Sequence, residues 1–127
     1  MKILNVILFA ALLLGGLSSC SKDDDNAAII GTWEGTWGFD FDEPTIYEKW
    51  EIKKGGKMTA YNSNGGKMAE GKWEVNGFNF EAEYTTETSH NTYKFEGLYS
   101  DAAGEITGNW GSAPSTTNGG TFIMHQQ

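Results

Sequence analysis

A single cysteine is the most reactive side chain in this chain of 127 residues. Cys20 lies in the stretch LSSCSKDDDN, residues 17–26, and three aspartates follow within five residues. An ionised thiol is a nucleophile and a metal ligand. However, His90 and His125 are distant from Cys20 in sequence and lack metal-ligand spacing. No phosphate-binding loop or Ser/His/Asp arrangement is recognisable either. We therefore expect no enzymatic activity, no metal site and no cofactor, and a different role for Cys20.

The residues before Cys20 have the pattern of a secretory signal peptide. Lys2 gives a positive start, residues 3–17 are almost wholly apolar, and two serines follow. The apolar run is shorter than the ~20 residues that a membrane-spanning helix needs. Its end, Leu-Ser-Ser-Cys, resembles the lipobox of bacterial lipoproteins. That resemblance implies cleavage between Ser19 and Cys20, which removes residues 1–19, and a lipid on the Cys20 sulfur.

The residues directly after Cys20 carry a second signal. They resemble the export signal of surface lipoproteins of Bacteroidota-type bacteria, a resemblance carried by Lys22, Asp23, Asp24 and Asp25. It implies display on the outer face of the outer membrane. The same charges also favour an extended, solvated tether over residues 20–28. We therefore expect an outer-membrane protein that contacts the membrane through its lipid anchor.

Composition excludes other functions. The formal net charge is −8, the chain has no arginine, and no basic stripe offsets the acidic residues. Such a surface repels phosphates, so we expect no nucleic-acid partner. A single cysteine also excludes an internal disulfide. The folded domain, residues 29–127, must therefore be stabilised by its core.

From residue 29 onward, apolar and polar side chains alternate with period two, and turn signals recur every 8–14 residues. This pattern predicts an all-β fold of eight short strands. The first apolar face runs from Trp33 to Phe41. In the strand before the Asn76-Gly77 pair, Met68 falls on the polar face. Asn76-Gly77 is a strong hairpin turn signal, and Phe78 begins the apolar face of the strand that follows. Short connections favour an eight-stranded antiparallel up-and-down barrel, with a two-sheet sandwich as the alternative.

A Gly-x-Trp repeat favours the barrel. It occurs with its tryptophans at Trp33, Trp37, Trp73 and Trp110. Residues two apart share a face of a strand, so each glycine clears space beside a large ring. The first copy resembles the opening motif of lipocalin and avidin-like barrels, and residues 106–111 resemble a late strand of small lipocalin-like domains. A lipocalin-like fold implies a small apolar ligand and no chemistry. The chain lacks the lipocalin disulfide and a recognisable biotin site.

The interior decides whether such a ligand fits. Of the sixteen aromatic residues after the signal peptide, fourteen fall on the apolar side, all but Tyr47 and Tyr61. An eight-stranded barrel is just wide enough to be filled by side chains or to hold one small ligand. Both a filled barrel and a narrow aromatic pocket at one end therefore stay open. For the pocket we expect these ligand-binding residues: Trp33, Trp37, Glu48, Trp50, Tyr84, Tyr93, Tyr99 and Trp110.

Glu48 is the unusual member of this set, because it lies on the inward face of its strand. A buried carboxylate needs a partner or a raised pKa. We favour instead a position near a strand end, where the side chain reaches water. The expected function is binding of a small apolar or aromatic ligand. The alternative is a protein-interaction module, such as a protease inhibitor or a subunit of a surface complex, that contacts a protein partner through rim loops at residues 87–91 and 112–120.

Overall fold

Period-two alternation produces strands throughout the part of the chain that the computed structural model describes, residues 27–127. The signal peptide, Cys20 and the acidic run lie outside the described residues, so these predictions are not tested by the structure. The strands are β1 (Gly31–Phe39), β2 (Ile46–Lys53), β3 (Lys57–Tyr61), β4 (Lys67–Asn76), β5 (Asn79–Thr86), β6 (Thr92–Ser100), β7 (Glu105–Ser112) and β8 (Gly120–Gln126). Short 3₁₀ turns occupy Ala27–Ile29 and Lys54–Gly56. No helix among the described residues is long and apolar enough to cross a membrane.

The eight strands close into an antiparallel barrel in sequence order. Each strand pairs with its chain neighbours, and β1 also pairs with β8, from Trp33 opposite Gln126 to Phe39 opposite Gly120. The predicted up-and-down barrel is therefore confirmed, and the sandwich alternative is wrong. Full pairing leaves no unpaired strand edge among the described residues.

Glycines permit the close strand contacts on which this closure depends. A Cβ atom at Gly71 would lie 1.8 Å from the backbone oxygen of Glu83, and one at Gly35 would lie 1.9 Å from that of Ile123. No side chain fits at these distances, so the neighbouring strands approach as only glycine allows. The strand glycines of the Gly-x-Trp repeat thus have a physical role in the barrel.

The two ends of the barrel differ. At one end, which we call the closed end, Ile29 of the first 3₁₀ turn is fully buried, and its carbonyl accepts a hydrogen bond of 2.8 Å from Trp33 Nε1. Ile29 thus forms a plug at this end. Above the plug, three phenylalanine rings surround Trp50 and fill the middle of the barrel. Their centroids lie 5.1–6.0 Å from the Trp50 centroid: Phe80, Phe95 and Phe122. The opposite end, which we call the mouth, is surrounded by four connections, residues 40–45, 62–66, 87–91 and 113–119.

Two strand boundaries differ from the sequence prediction, and both move a phenylalanine out of the interior. β1 ends at Phe39, because Asp40 adopts a positive φ of 52°, and Phe41 is fully exposed in the turn. Phe78 is 75% exposed in a two-residue turn with Gly77. Gly77 has a φ of 63°, as the first central residue of a type II′ turn requires. The turn is therefore one residue later than predicted, and fewer than fourteen rings face inward.

Candidate functional site

A pocket of about 420 Å³ opens at the mouth of the barrel. Its volume lies within the ~300–1,000 Å³ that small-molecule sites usually occupy. The pocket wall is mostly aromatic, formed by Trp37, Phe39, Tyr84, Tyr93, Phe95 and Trp110. Met68, Gly119 and a few polar side chains complete the lining: Asp40, Glu48, Thr86, Ser112 and Asn118. The barrel is thus filled at its middle and closed end but open at its mouth.

Alternation along the strands brings the aromatic wall together. Tyr93 and Phe95 are two residues apart on β6, so they share the inner face. Trp110 lies across from Phe95 on β7 and, with Trp37 of β1, forms a corner in which the ring centroids are 5.0 Å apart and the planes meet at 78°. Phe39 contacts both tryptophans in similar edge-to-face geometry, with centroid distances of 5.2 and 5.6 Å. Such contacts add to the stabilisation from burial.

The position of Trp110 is fixed by the end of β1 and by the β7–β8 connection. Its Nε1 donates a 2.9 Å hydrogen bond to the carbonyl of Gly38. On the other side, a Cβ atom at Gly119 would lie 2.5 Å from the indole ring, so only glycine lets the chain pass this close. The Asp40 amide in turn donates to the Gly119 carbonyl at 2.8 Å. These contacts join the β1–β2 and β7–β8 connections around the pocket.

Glu48 of β2 forms part of the pocket floor. Its side chain is 3% exposed, and Oε2 accepts hydrogen bonds from Trp50 Nε1 at 2.6 Å and from the Tyr84 hydroxyl at 2.8 Å. The Trp37 indole also lies near the carboxyl group and favours its charged form, as Trp50 and Tyr84 do. Burial raises the pKa of Glu48 from 4.5 to about 7, against the opposing effect of these donors. Glu48 therefore changes its charge near neutral pH.

Tyr84 is coupled to this carboxyl. Its burial and the neighbouring Glu48 carboxylate raise the pKa of the Tyr84 hydroxyl well above 10. Tyr84 accordingly keeps its proton and acts as a hydrogen-bond donor to Glu48. Its ring also contacts Phe95 and Tyr93, with centroids 5.0 and 6.1 Å away. The aromatic wall thus holds the donor that orients the carboxyl group.

The structure brings five of the eight predicted ligand-binding residues to the pocket: Trp37, Glu48, Tyr84, Tyr93 and Trp110. The other three do not line it. Trp33 and Tyr99 pack together at the closed end, with centroids 6.1 Å apart. Trp50 lies beneath the floor, almost fully buried, and holds Glu48. Alternation assigns a residue to the inner face, but it does not give the depth of that residue along the barrel.

Glu48 is 3% exposed, so its side chain is nearly buried instead of open to water as the sequence predicts. Glu48 is indeed the third residue of β2 counted from the mouth, but the aromatic wall and the crossing loops cover it. The other possibility, a buried carboxyl with a partner and a raised pKa, is the one observed. Shielding by rings from other strands is a non-local property, so the sequence of β2 alone does not contain it.

Sequence reasoning missed several pocket residues. Met68 was assigned to a polar face, but a bulge shifts the register between β3 and β4, where Ala60 pairs with Ala69 and Tyr61 with Lys67. Met68 is the extra residue at this bulge and lines the pocket. Strict alternation cannot reveal it. Asn118 and Gly119 come from the β7–β8 connection, which was predicted as a rim loop but not as part of the pocket.

The charged side chains of the site are acidic. Within the described chain, the charged side chains that line the pocket are Asp40 and Glu48. Among residues 27–127, no group of three or more His, Cys, Asp or Glu side chains could hold a metal ion. The arrangement offers apolar contact area, hydroxyl and amide groups at the rim, and one titratable carboxyl at the floor. These are the components of a binding site.

Comparisons with protein-family models, with curated proteins and with solved structures found no match. The resemblance to lipocalin and avidin-like barrels therefore stays a prediction from short motifs. The closed eight-stranded barrel is observed directly. The function has to be inferred from the geometry of the pocket itself.

Proposed function

We propose that this protein is a lipid-anchored outer-membrane lipoprotein, exposed at the cell surface, whose barrel binds a small apolar or aromatic ligand at its mouth. The observation that supports binding is the pocket of about 420 Å³ with six aromatic residues in its wall. Aromatic walls with a few placed polar groups are typical of small-molecule sites. We propose a binding protein rather than an enzyme, in which the carboxyl at the floor fixes the orientation of the ligand.

The pocket suits a ligand of one ring or a short chain. A single aromatic ring buries roughly 150 Å² or more of apolar surface, which contributes about 4 kcal/mol at ~25 cal/mol per Å². Lost translational freedom offsets part of this gain. We therefore expect dissociation constants on the order of 1 mM or weaker for simple aromatic probes.

Tryptophan fluorescence tests this proposal, because Trp37 and Trp110 belong to the wall. Titration with 2-phenylethanol or 1-octanol should give a saturable change. Phe39→Ala should weaken binding of 2-phenylethanol by roughly two- to tenfold, the value of one aromatic contact. Phe78→Ala is the matched control, since Phe78 is a similarly exposed phenylalanine at the other end of the barrel. Flat titrations with both probes would refute ligand binding.

The anchor is tested separately, because Cys20 lies outside the described residues. Cys20→Ala should move the protein from the detergent phase to the aqueous phase, whereas Ser21→Ala should leave it in the detergent phase. Replacing Asp23, Asp24 and Asp25 with alanine should keep the lipid but reduce cleavage by external protease. If Cys20→Ala stayed in the detergent phase, that result would contradict lipidation. If external protease cleaved the triple alanine variant as before, the acidic run would be a tether and not an export signal.

A second function, protein interaction, is favoured by exposed apolar side chains in and beside the β1–β2 connection. Phe41 is fully exposed, and Phe39 and Ile46 are 52% and 40% exposed. Solvent-exposed apolar clusters of this kind commonly contact other proteins. These residues differ from the rim loops predicted from sequence, 87–91 and 112–120. Flat probe titrations, together with capture of a partner that Phe41→Ser abolishes, would favour this function over ligand binding.

A further inference from the structure

The carboxyl group at the pocket floor has one oxygen that is left for a ligand. Trp50 and Tyr84 both donate to Oε2 of Glu48, whereas no side chain among residues 27–127 donates to Oε1 at hydrogen-bond distance and angle, although the Trp37 indole lies near the carboxyl group. Among those side chains, no fully buried nitrogen or oxygen lacks a partner. Oε1 is therefore accessible, and the space that Glu48 lines is the pocket. A ligand that reaches the floor meets this oxygen.

The rings beside Glu48 form a corner suited to positive charge. Trp37, Phe39 and Trp110 contact one another at interplanar angles of 64–79°. All three rings line the pocket, so a ligand in the pocket contacts them. Aromatic faces attract ammonium groups through the ring quadrupole, and tryptophan does so most strongly.

The charges of the residues that line the pocket also favour a cationic ligand. Asp40 at the rim and Glu48 at the floor are both acidic, and within the described chain no lysine lines the pocket. The whole chain carries a net charge of −8. Such a distribution raises the local concentration of cations and repels anions.

We infer that the ligand is an organic cation, a primary ammonium group on a small aromatic or apolar body, held by Oε1 of Glu48 and the rings of Trp37 and Trp110. This inference rests on the proposed ligand-binding function and specifies its chemical class. An ammonium group satisfies the free oxygen, neutralises the buried carboxylate and contacts the rings. A neutral alcohol satisfies only the hydrogen bond, and a carboxylate ligand would place like charges together.

Three probes that share a phenyl ring and a two-carbon chain or its equivalent separate these cases: phenethylamine as its ammonium ion, 2-phenylethanol and phenylacetate. At pH 8, the ammonium ion should bind the full barrel roughly tenfold to a hundredfold more tightly than the alcohol, as a charged hydrogen bond predicts. Phenylacetate should bind most weakly. Equal affinity for the ammonium ion and the alcohol would overturn the cation inference and leave the proposed function intact. Failure of all three probes would overturn both.

A charge-neutral variant assigns the preference to Glu48. Glu48→Gln keeps an oxygen for Trp50 and Tyr84 but removes the charge, so the ammonium and alcohol probes should bind it with similar affinity. Glu74→Gln is the matched control, because it removes the same charge from an exposed position on β4, and it should keep the full preference. Retention of the preference in folded Glu48→Gln would contradict the role of Glu48. The comparison of probes on the unmodified protein decides the ligand class even if Glu48→Gln does not fold.

Discussion

Burial of Glu48 should make the stability of the barrel depend on pH. The folded state raises the pKa of this carboxyl from 4.5 to about 7 because burial disfavours its charged form. Between these values the folded protein binds a proton that the unfolded chain has released. The free energy of unfolding therefore falls as pH rises from about 4.5 to about 7. The stabilisation is fully present below the unfolded pKa and is lost above the folded one.

The size of this effect follows from the shift. At about 1.4 kcal/mol per pKa unit, raising the pH through the window costs the folded state about 3 kcal/mol. The titratable groups that face Glu48 are Tyr84 and Tyr93, with Asp40 at the rim. Tyr84 has a pKa well above 10 and stays protonated throughout. A loss of about 3 kcal/mol is a large fraction of the total stability of a small domain.

Urea unfolding followed by tryptophan fluorescence measures this effect at pH 4.5, 5.5, 6.5 and 7.5. Glu48→Gln cannot ionise, so the difference in unfolding free energy between the two proteins should change by about 3 kcal/mol across the series. The variant carries a constant offset of roughly 1–3 kcal/mol, because a neutral amide replaces the carboxyl group in the hydrogen bonds from Trp50 and Tyr84. Glu70, whose pKa is lowered by Lys67, contributes equally to both proteins and cancels.

Exposed carboxylates supply the control. Glu74→Gln removes one carboxylate from an exposed position on β4 and is the control for the loss of a charge. Parallel profiles for the unmodified protein and Glu48→Gln would refute the reasoning, because they would show that the Glu48 carboxyl keeps its ordinary pKa in the folded state.

Two further predictions concern packing. Phe80→Ala should lower the free energy of unfolding by about 3–5 kcal/mol, since the ring is fully buried against Trp50. Phe78→Ala should change the free energy of unfolding by less than about 0.5 kcal/mol. If urea titrations gave similar losses for the two variants, they would contradict the placement of Phe78 in the turn. Gly71→Ala should destabilise the barrel by about 3 kcal/mol, because the added Cβ would lie 1.8 Å from the Glu83 backbone oxygen. Gly66→Ala, in an exposed turn, is its control, and equal effects would argue against a close strand approach at Gly71.

The barrel could be predicted because its determinants are local. Each strand carries its own alternation, each connection its own turn residues, and short connections leave few ways to arrange eight neighbouring strands. The boundaries were less predictable. Phe41 continues the apolar alternation of β1, but the positive φ of Asp40 ends that strand at Phe39. Phe78 continues the alternation of β5, but the turn at Gly77 makes that strand begin at Asn79.

The pocket was only partly predictable, because depth is a property of the closed barrel rather than of any strand. Trp33 and Trp37 share one face of β1, yet one fills the closed end and the other lines the mouth. The distinction depends on where Ile29 folds back beneath the barrel. The burial of Glu48 likewise depends on rings from β1, β5 and β6, and Met68 depends on a bulge that no alternation indicates.

The burial of Ile29 also places the start of the described chain at the closed end of the barrel. The chain enters at the closed end, where the Ala28 carbonyl accepts a hydrogen bond of 2.8 Å from Gln126 Nε2. A nine-residue strand such as β1, at ~3.3 Å per residue and a tilt of ~40°, separates this point from the mouth by roughly 20 Å. That distance exceeds the ~8 Å over which charges interact at physiological salt. The pocket therefore opens at the end of the barrel opposite to the point where the described chain begins.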